Sequence, residues 1–137
     1  MKKYVPFVLI LSIVLFACTS QAASLTGTWK LVSYGPSESM TAAVPDADAM
    51  LTFAQDSTIT GSSGCNSMSG NYTSVDGDQV TFSELAATLM ACDDARMEQE
   101  NAVFQVLSGT AQVAIEDQTL TIVNNGMKLR LTSVPAE

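Results

Sequence analysis

Residues Thr119–Thr132, TLTIVNNGMKLRLT, decide how the rest of the chain is read. Thr119–Val123 and Met127–Thr132 alternate apolar and polar residues on either side of Asn124-Asn125-Gly126. Period-two alternation puts Leu129 and Leu131 on one face and Lys128 and Arg130 on the other, as in a strand half-buried on a core. Asn and Gly tolerate the positive φ that a tight antiparallel turn demands. Upstream, Ala111–Ile115 and the turn Glu116-Asp117-Gln118 add another strand. The C-terminal part therefore reads as an antiparallel meander.

The same periodicity extends toward the N-terminus. In Thr28–Tyr34, Trp29, Leu31 and Ser33 face one way and Lys30 and Val32 the other. Ala49–Phe53 and Ser57–Thr60 flank a turn at Ala54–Asp56, and Asn71–Ser74 and Gln79–Phe82 flank Val75-Asp76-Gly77-Asp78. Asp-Gly between β-prone runs is a strong hairpin signal. Gly35–Asp48, rich in Pro, Ser, Ala and Asp, reads as the longest and most mobile loop. Leu85–Met90 is apolar and fits either a strand or a helix. Asp93-Asp94 opens the one clear helix, since acids cap free N–H groups and suit the positive end of the helix dipole. Met97, Asn101, Phe104 and Leu107, with Val103 and Val106, are expected to face inward and Glu98, Gln99 and Gln105 outward. Ser108-Gly109 ends it. The fold class expected is mainly β: about eight short antiparallel strands in a partly closed, barrel-like sheet with one packed helix. Trp29, Phe53, Tyr72, Phe82 and Phe104 fall at core spacing. A barrel interior can also hold a small hydrophobic ligand.

The N-terminus carries processing signals. Met1-Lys2-Lys3 precedes the uncharged run Val5–Ala17, VPFVLILSIVLFA. As a helix this run spans about 20 Å, against about 30 Å for a bilayer core, so it reads as a secretory signal. Leu15-Phe16-Ala17-Cys18 is similar to a bacterial lipobox, with Phe16 departing from the usual small or branched residue. Cys18 is then the lipidated residue, and residues 18–25 form a tether. Thr19, in place of aspartate, favours the outer membrane. The alternative is plain export with cleavage after Ala22, guided by Ser20-Gln21-Ala22. With Cys18 acylated, Cys65 and Cys92 remain, and an oxidising compartment joins such a pair. Beyond the signal, Lys30, Arg96, Lys128 and Arg130 stand against 14 acidic residues, a net charge of −10. That balance excludes nucleic acid and disfavours anionic head groups as partners. Membrane attachment then comes from the lipid.

The segment Gly61–Gly70, GSSGCNSMSG, has the look of a reactive-cysteine or phosphate loop. Thiol catalysis needs a base, usually histidine, and the chain has no histidine. Ser-His-Asp chemistry and most transition-metal sites fail for the same reason. A P-loop ends in Gly-Lys-Ser/Thr, yet no lysine lies between Lys30 and Lys128. Glu84, Asp93, Asp94, Glu98 and Glu100 are the carboxylates open to acid–base work or calcium, and none has EF-hand spacing. No cofactor is expected.

Three motifs occur in order: Gly64-Cys65-Asn66 leading to Gly70-Asn71-Tyr72; Thr88-Leu89-Met90-Ala91-Cys92; and Glu98-Gln99-Glu100. With Trp29 in Gly27-Thr28-Trp29-Lys30-Leu31, this set resembles the META (HslJ-like) domain family. The resemblance covers about residues 25–133. Asp93 stands where a proline is common, a departure confined to the start of the helix. The resemblance implies a β-rich, barrel-like domain at residues 26–134, after a signal at 1–17. It implies an envelope setting linked to stress, and no enzyme. The expectation is a monomeric lipoprotein that binds a protein partner or a small hydrophobic ligand. The alternatives are a soluble exported regulator acting through Gly35–Asp48, and a carboxylate enzyme.

Overall fold

Alternating strands joined by tight turns can bury one face only by curling onto themselves, and this chain does so. The computed structural model describes residues 24–75 and 77–136. The signal segment, Cys18 and Asp76 of the Asp-Gly turn lie outside the described residues. In order, the elements are β1 Gly27–Pro36, β2 Thr41–Ala42, β3 Met50–Phe53, β4 Thr58–Ser62, β5 Ser67–Val75, β6 Gln79–Ala87, α1 Asp94–Val106, β7 Gly109–Glu116, β8 Thr119–Asn124 and β9 Met127–Val134. All strand pairs are antiparallel, and β1 meets both β3 and β9. Eight strands thus close into a barrel, with β2 as an extra strand on β1 and one helix beside them.

The β8–β9 hairpin places Leu120 opposite Leu131 and Ile122 opposite Leu129, all four wholly buried. Phe53 and Ile59 join them, and Phe53 meets the Tyr72 ring edge-on at 5.2 Å. Each such side chain contributes roughly 1.5–3 kcal/mol through burial. Trp29, Tyr72 and Phe82 are buried as expected, and Phe104 is half-buried. The polar tips of two aromatics are satisfied: Trp29 Nε1 donates to the Leu25 carbonyl at 2.8 Å and the Tyr72 hydroxyl to the Ala54 carbonyl at 2.6 Å.

Four local expectations need correction. In β1 the register against β9 shifts between Leu31 and Ser33, so Val32 is an extra, bulged residue. The alternation then inverts, and Tyr34 points inward with 3% exposure. The segment expected as loop between Gly35 and Asp48 contains β2. The Gly61–Gly70 stretch is largely strand, with only residues 63–66 forming a corner between β4 and β5. On α1 the buried residues are Gln99, Glu100, Ala102, Val103 and Val106, while Asn101 is exposed. The helix is rotated from the expected face because two polar side chains find partners inside.

Candidate functional site

The corner at residues 63–66 sits under the helix. Gly64 has φ +95°, and a Cβ there would lie 2.5 Å from Gln99 Nε2 and 2.9 Å from Ala47 Cβ. Only glycine permits both this backbone and this approach. Glu100, on the inner face of α1, accepts from the Ser63 hydroxyl, from the Asn66 amide at 3.0 Å and from Asn66 Nδ2 at 2.9 Å. Gln99 Nε2 donates to the Ser63 carbonyl at 2.7 Å, and its Oε1 accepts from the Val44 amide at 2.7 Å. Ser63, Asn66, Gln99 and Glu100 are all buried. Among the described residues every buried side-chain nitrogen and oxygen has a partner. A buried polar network that is fully satisfied rigidifies what it touches.

What it touches is the segment after β6. Asn66 Oδ1 accepts from Thr88 Oγ1 at 2.9 Å and from the Met90 amide at 2.7 Å, while its Nδ2 reaches the Met90 carbonyl at 3.2 Å. The Thr88 amide donates to the Ser67 carbonyl at 3.0 Å. A disulfide joins Cys65 to Cys92, with Cα atoms 5.9 Å apart. Residues 88–92 are therefore gripped from below, yet Leu89 is 98% exposed and Met90 59%. The network and the disulfide hold up an apolar ledge.

The strand leading to the ledge has a free side. β7 pairs with β6 only along Gln79–Phe82, whereas β5 continues along β6 to Ala87. Around Gly70 the β5–β6 register shifts, and Glu84 takes φ +54°. A Cβ on Gly70 would meet Leu85 Cδ2 at 2.7 Å. A cleft of about 260 Å³ opens between this part of β6 and the end of α1, lined by Ser83, Glu84, Leu85, Phe104 and Leu107 among others.

Seven of the motif residues converge on one place. Gly64, Cys65, Asn66, Thr88, Met90, Cys92 and Gln99 build the clamp directly. Ala91 lies exposed on the ledge, Gly70 and Tyr72 lie on the neighbouring strand, and Trp29 belongs to the core. Glu98 points outward. Ser63 was not singled out in the sequence, where its serine-rich surroundings disguise it. The carboxylates do not gather: Glu100 faces the corner, Glu84 lies on β6, and Asp93 and Asp94 open the helix. Asp93 caps it, accepting from the Arg96 amide at 3.1 Å. Hydrogen bonds from the Arg96 side chain and backbone hold its carboxyl below the usual aspartate range. Among the described residues no three His, Cys, Asp or Glu side chains are grouped to hold a metal.

Comparison with known proteins fits this picture. An NMR structure of a protein from Burkholderia xenovorans superposes with a TM-score of 0.67 at 25% identity, covering 80% of this chain and 83% of its own. A DUF4847 family protein from Bacteroides vulgatus gives 0.59 at 14% identity, covering 82% and 95%. A lipocalin-like protein from Bacteroides uniformis gives 0.51 at 15% identity, covering 80% and 98%. The last two bear on the fold alone. No curated protein matches the chain. The META domain family matches over residues 23–136, the span that contains the barrel, the corner, the ledge and the helix. This chain belongs to the META domain family.

Proposed function

We propose that the chain is a non-enzymatic lipoprotein of the bacterial envelope, anchored through Cys18 and facing the periplasm, and that it binds a protein partner on its outer surface in envelope maintenance. The observation that carries this reading is the packed interior. Phe53, Ile59, Leu120, Ile122, Leu129 and Leu131 are wholly buried and occupy the space in which a ligand-carrying barrel keeps its cavity. A filled barrel of this kind works through its exterior, which favours a protein partner over an enclosed hydrophobic ligand.

Two measurements test the reading. Intact mass of protein extracted from bacterial membranes is expected to show a chain starting at Cys18 with acyl chains added. A mature species starting at Ala23 without acyl mass would refute the anchor. Titration with a fluorescent fatty acid is expected to leave Trp29 emission unchanged. Saturable one-to-one uptake with energy transfer from Trp29 would place function inside the barrel instead.

A further inference from the structure

We propose that the free side of β6 at Ser83–Ala87, together with Leu89 and Met90, receives an extended, basic segment of another protein, added as a further β-strand. This inference rests on the reading that the chain works through its exterior. Three features point to it.

The first is the backbone. Ser83–Ala87 is paired to β5 on one side only. The Thr88 amide points at Ser67 on β5, so by strand alternation the Ala87 N–H points away from β5. A strand edge of this kind templates pairing with an incoming strand unless it is blunted. Proteins blunt edges with charged residues, proline, β-bulges or a covering element. Ser83–Cys92 contains neither lysine nor proline, and beyond its bulge at Glu84 the strand continues through Leu85–Ala87 with Ala86 and Ala87 exposed.

The second is the pair of side-chain features at the ends of the edge. At one end, the cleft of about 260 Å³ is lined by Leu85 and Phe104 together with Ser83, Glu84 and Ser108, and offers a side chain of the incoming strand both an apolar surface and a carboxylate. At the other end stand Leu89 and Met90. Exposed apolar side chains on a mobile loop cost entropy when they dock, but here the backbone beneath is fixed by Asn66 and the disulfide. Such pre-organisation removes part of the cost of binding.

The third is charge. The only charged side chain in Ser83–Cys92 is Glu84, followed by Asp93 and Asp94 just beyond. A second copy of the chain would bring another charge of −10 to this edge, which opposes self-pairing. A segment carrying lysine or arginine between its apolar residues meets Glu84 favourably.

The test uses the mature exported chain with its disulfide intact. The probe is a blocked peptide of about nine residues alternating valine and lysine, long enough to span the edge and the ledge at ~3.4 Å per residue. Its controls are the same peptide with glutamate for lysine and one with proline at alternate positions. Saturable NMR shifts confined to Ser83–Met90 and Phe104, with slowed exchange of the Ala87 amide, are expected for the lysine peptide alone. Leu89→Ser, at a fully exposed site, should weaken binding by roughly tenfold. Ala87→Pro, which removes the outward donor, should do at least as much; Trp29 emission and far-UV circular dichroism report whether that variant folds. The proposal is overturned by no saturable shift at millimolar peptide, by shifts centred elsewhere, by equal binding of the glutamate peptide, or by self-association through this edge in sedimentation equilibrium. Fatty-acid uptake into the barrel would defeat the functional reading whatever the edge does. A silent edge on a chain with a closed interior would defeat this inference alone.

Discussion

Asn66 uses both ends of its amide. The oxygen accepts hydrogen bonds from the Thr88 hydroxyl and the Met90 amide, and the nitrogen donates to Glu100 and to the Met90 carbonyl. No apolar residue reproduces that pattern, and aspartate would lose the donor. Asn66→Ala should cost about 2–4 kcal/mol in urea unfolding, because the part-buried Met90 backbone and the buried Glu100 carboxylate lose partners together. A cost below about 0.5 kcal/mol would mean the clamp is decorative. Glu100→Gln probes the other side of the same network. Three donors converge on Glu100, from Ser63 and from the backbone and side chain of Asn66. A glutamine must turn its own N–H₂ toward one of them, for an expected loss of about 1–3 kcal/mol despite equal volume. Full stability in that variant would show that acceptor capacity is not what the site requires.

Elements meet at the disulfide and at the start of α1. Cys65 and Cys92 are 27 positions apart and tie the corner to the helix. In the chain-entropy model such a crosslink is worth about 3–4 kcal/mol. Reductant, or a Cys65→Ser/Cys92→Ser pair, should therefore lower Tm by roughly 10–20 °C in a domain of this size. Unchanged melting after verified reduction would contradict this. Asp93, beside the bond, supplies a pH dependence of determined sign. Its folded pKa lies below the ordinary 3.8, first through the Arg96 side chain and then through the Arg96 backbone. The stabilisation is therefore complete above the unfolded value and is lost as pH falls through the folded one. Asp93→Asn should flatten the fall of Tm below about pH 4. Some slope should remain from Asp56, lowered by its hydrogen bonds from Thr58. An identical acid limb in the variant would exclude Asp93 as its source. These elements also mark where the sequence is legible. The β8–β9 hairpin is read correctly because Leu120, Ile122, Leu129 and Leu131 keep unbroken period-two spacing. β1 is misread past Leu31 because one bulged residue inverts the alternation, and sequence periodicity carries no sign of it. Gln99 reads as an outward residue on polarity, yet it is wholly buried. Its partners, the Ser63 carbonyl and the Val44 amide, lie 36 and 55 positions away. Only the ordered motifs, seen together, hint that the corner and the helix share one site.

The whole molecule closes through its two ends. β1 and β9 pair from Thr28 opposite Val134 to Pro36 opposite Met127, so the first and last strands are neighbours. Closure removes most of the sheet edges that the strands would otherwise expose, and the free side of β6 beside the ledge is one of those that remain. The pairing is also the most distant in sequence, and such non-local contacts slow folding toward the millisecond-to-second range. If the barrel depends on this pairing and not on the position of the chain ends, joining the ends should preserve it. In a circular permutant, residue 134 is linked to residue 24 by a short Gly/Ser turn, which keeps the Leu25 carbonyl that Trp29 donates to, and the chain is opened between Asn125 and Gly126. β9 then leads into β1 as an ordinary antiparallel hairpin. The expected outcome is a folded barrel with native near-UV circular dichroism of Trp29 and a Tm within a few degrees of the parent. Its folding rate should stay near the parent's, since β8–β9 replaces β1–β9 as the non-local closing pair. A permutant that stays unfolded would show that the barrel needs a continuous β8–β9 hairpin. A permutant that folds much more slowly would show that the β8–β9 hairpin forms before the rate-limiting step, and one that folds much faster that β1–β9 closure limits the rate of the parent.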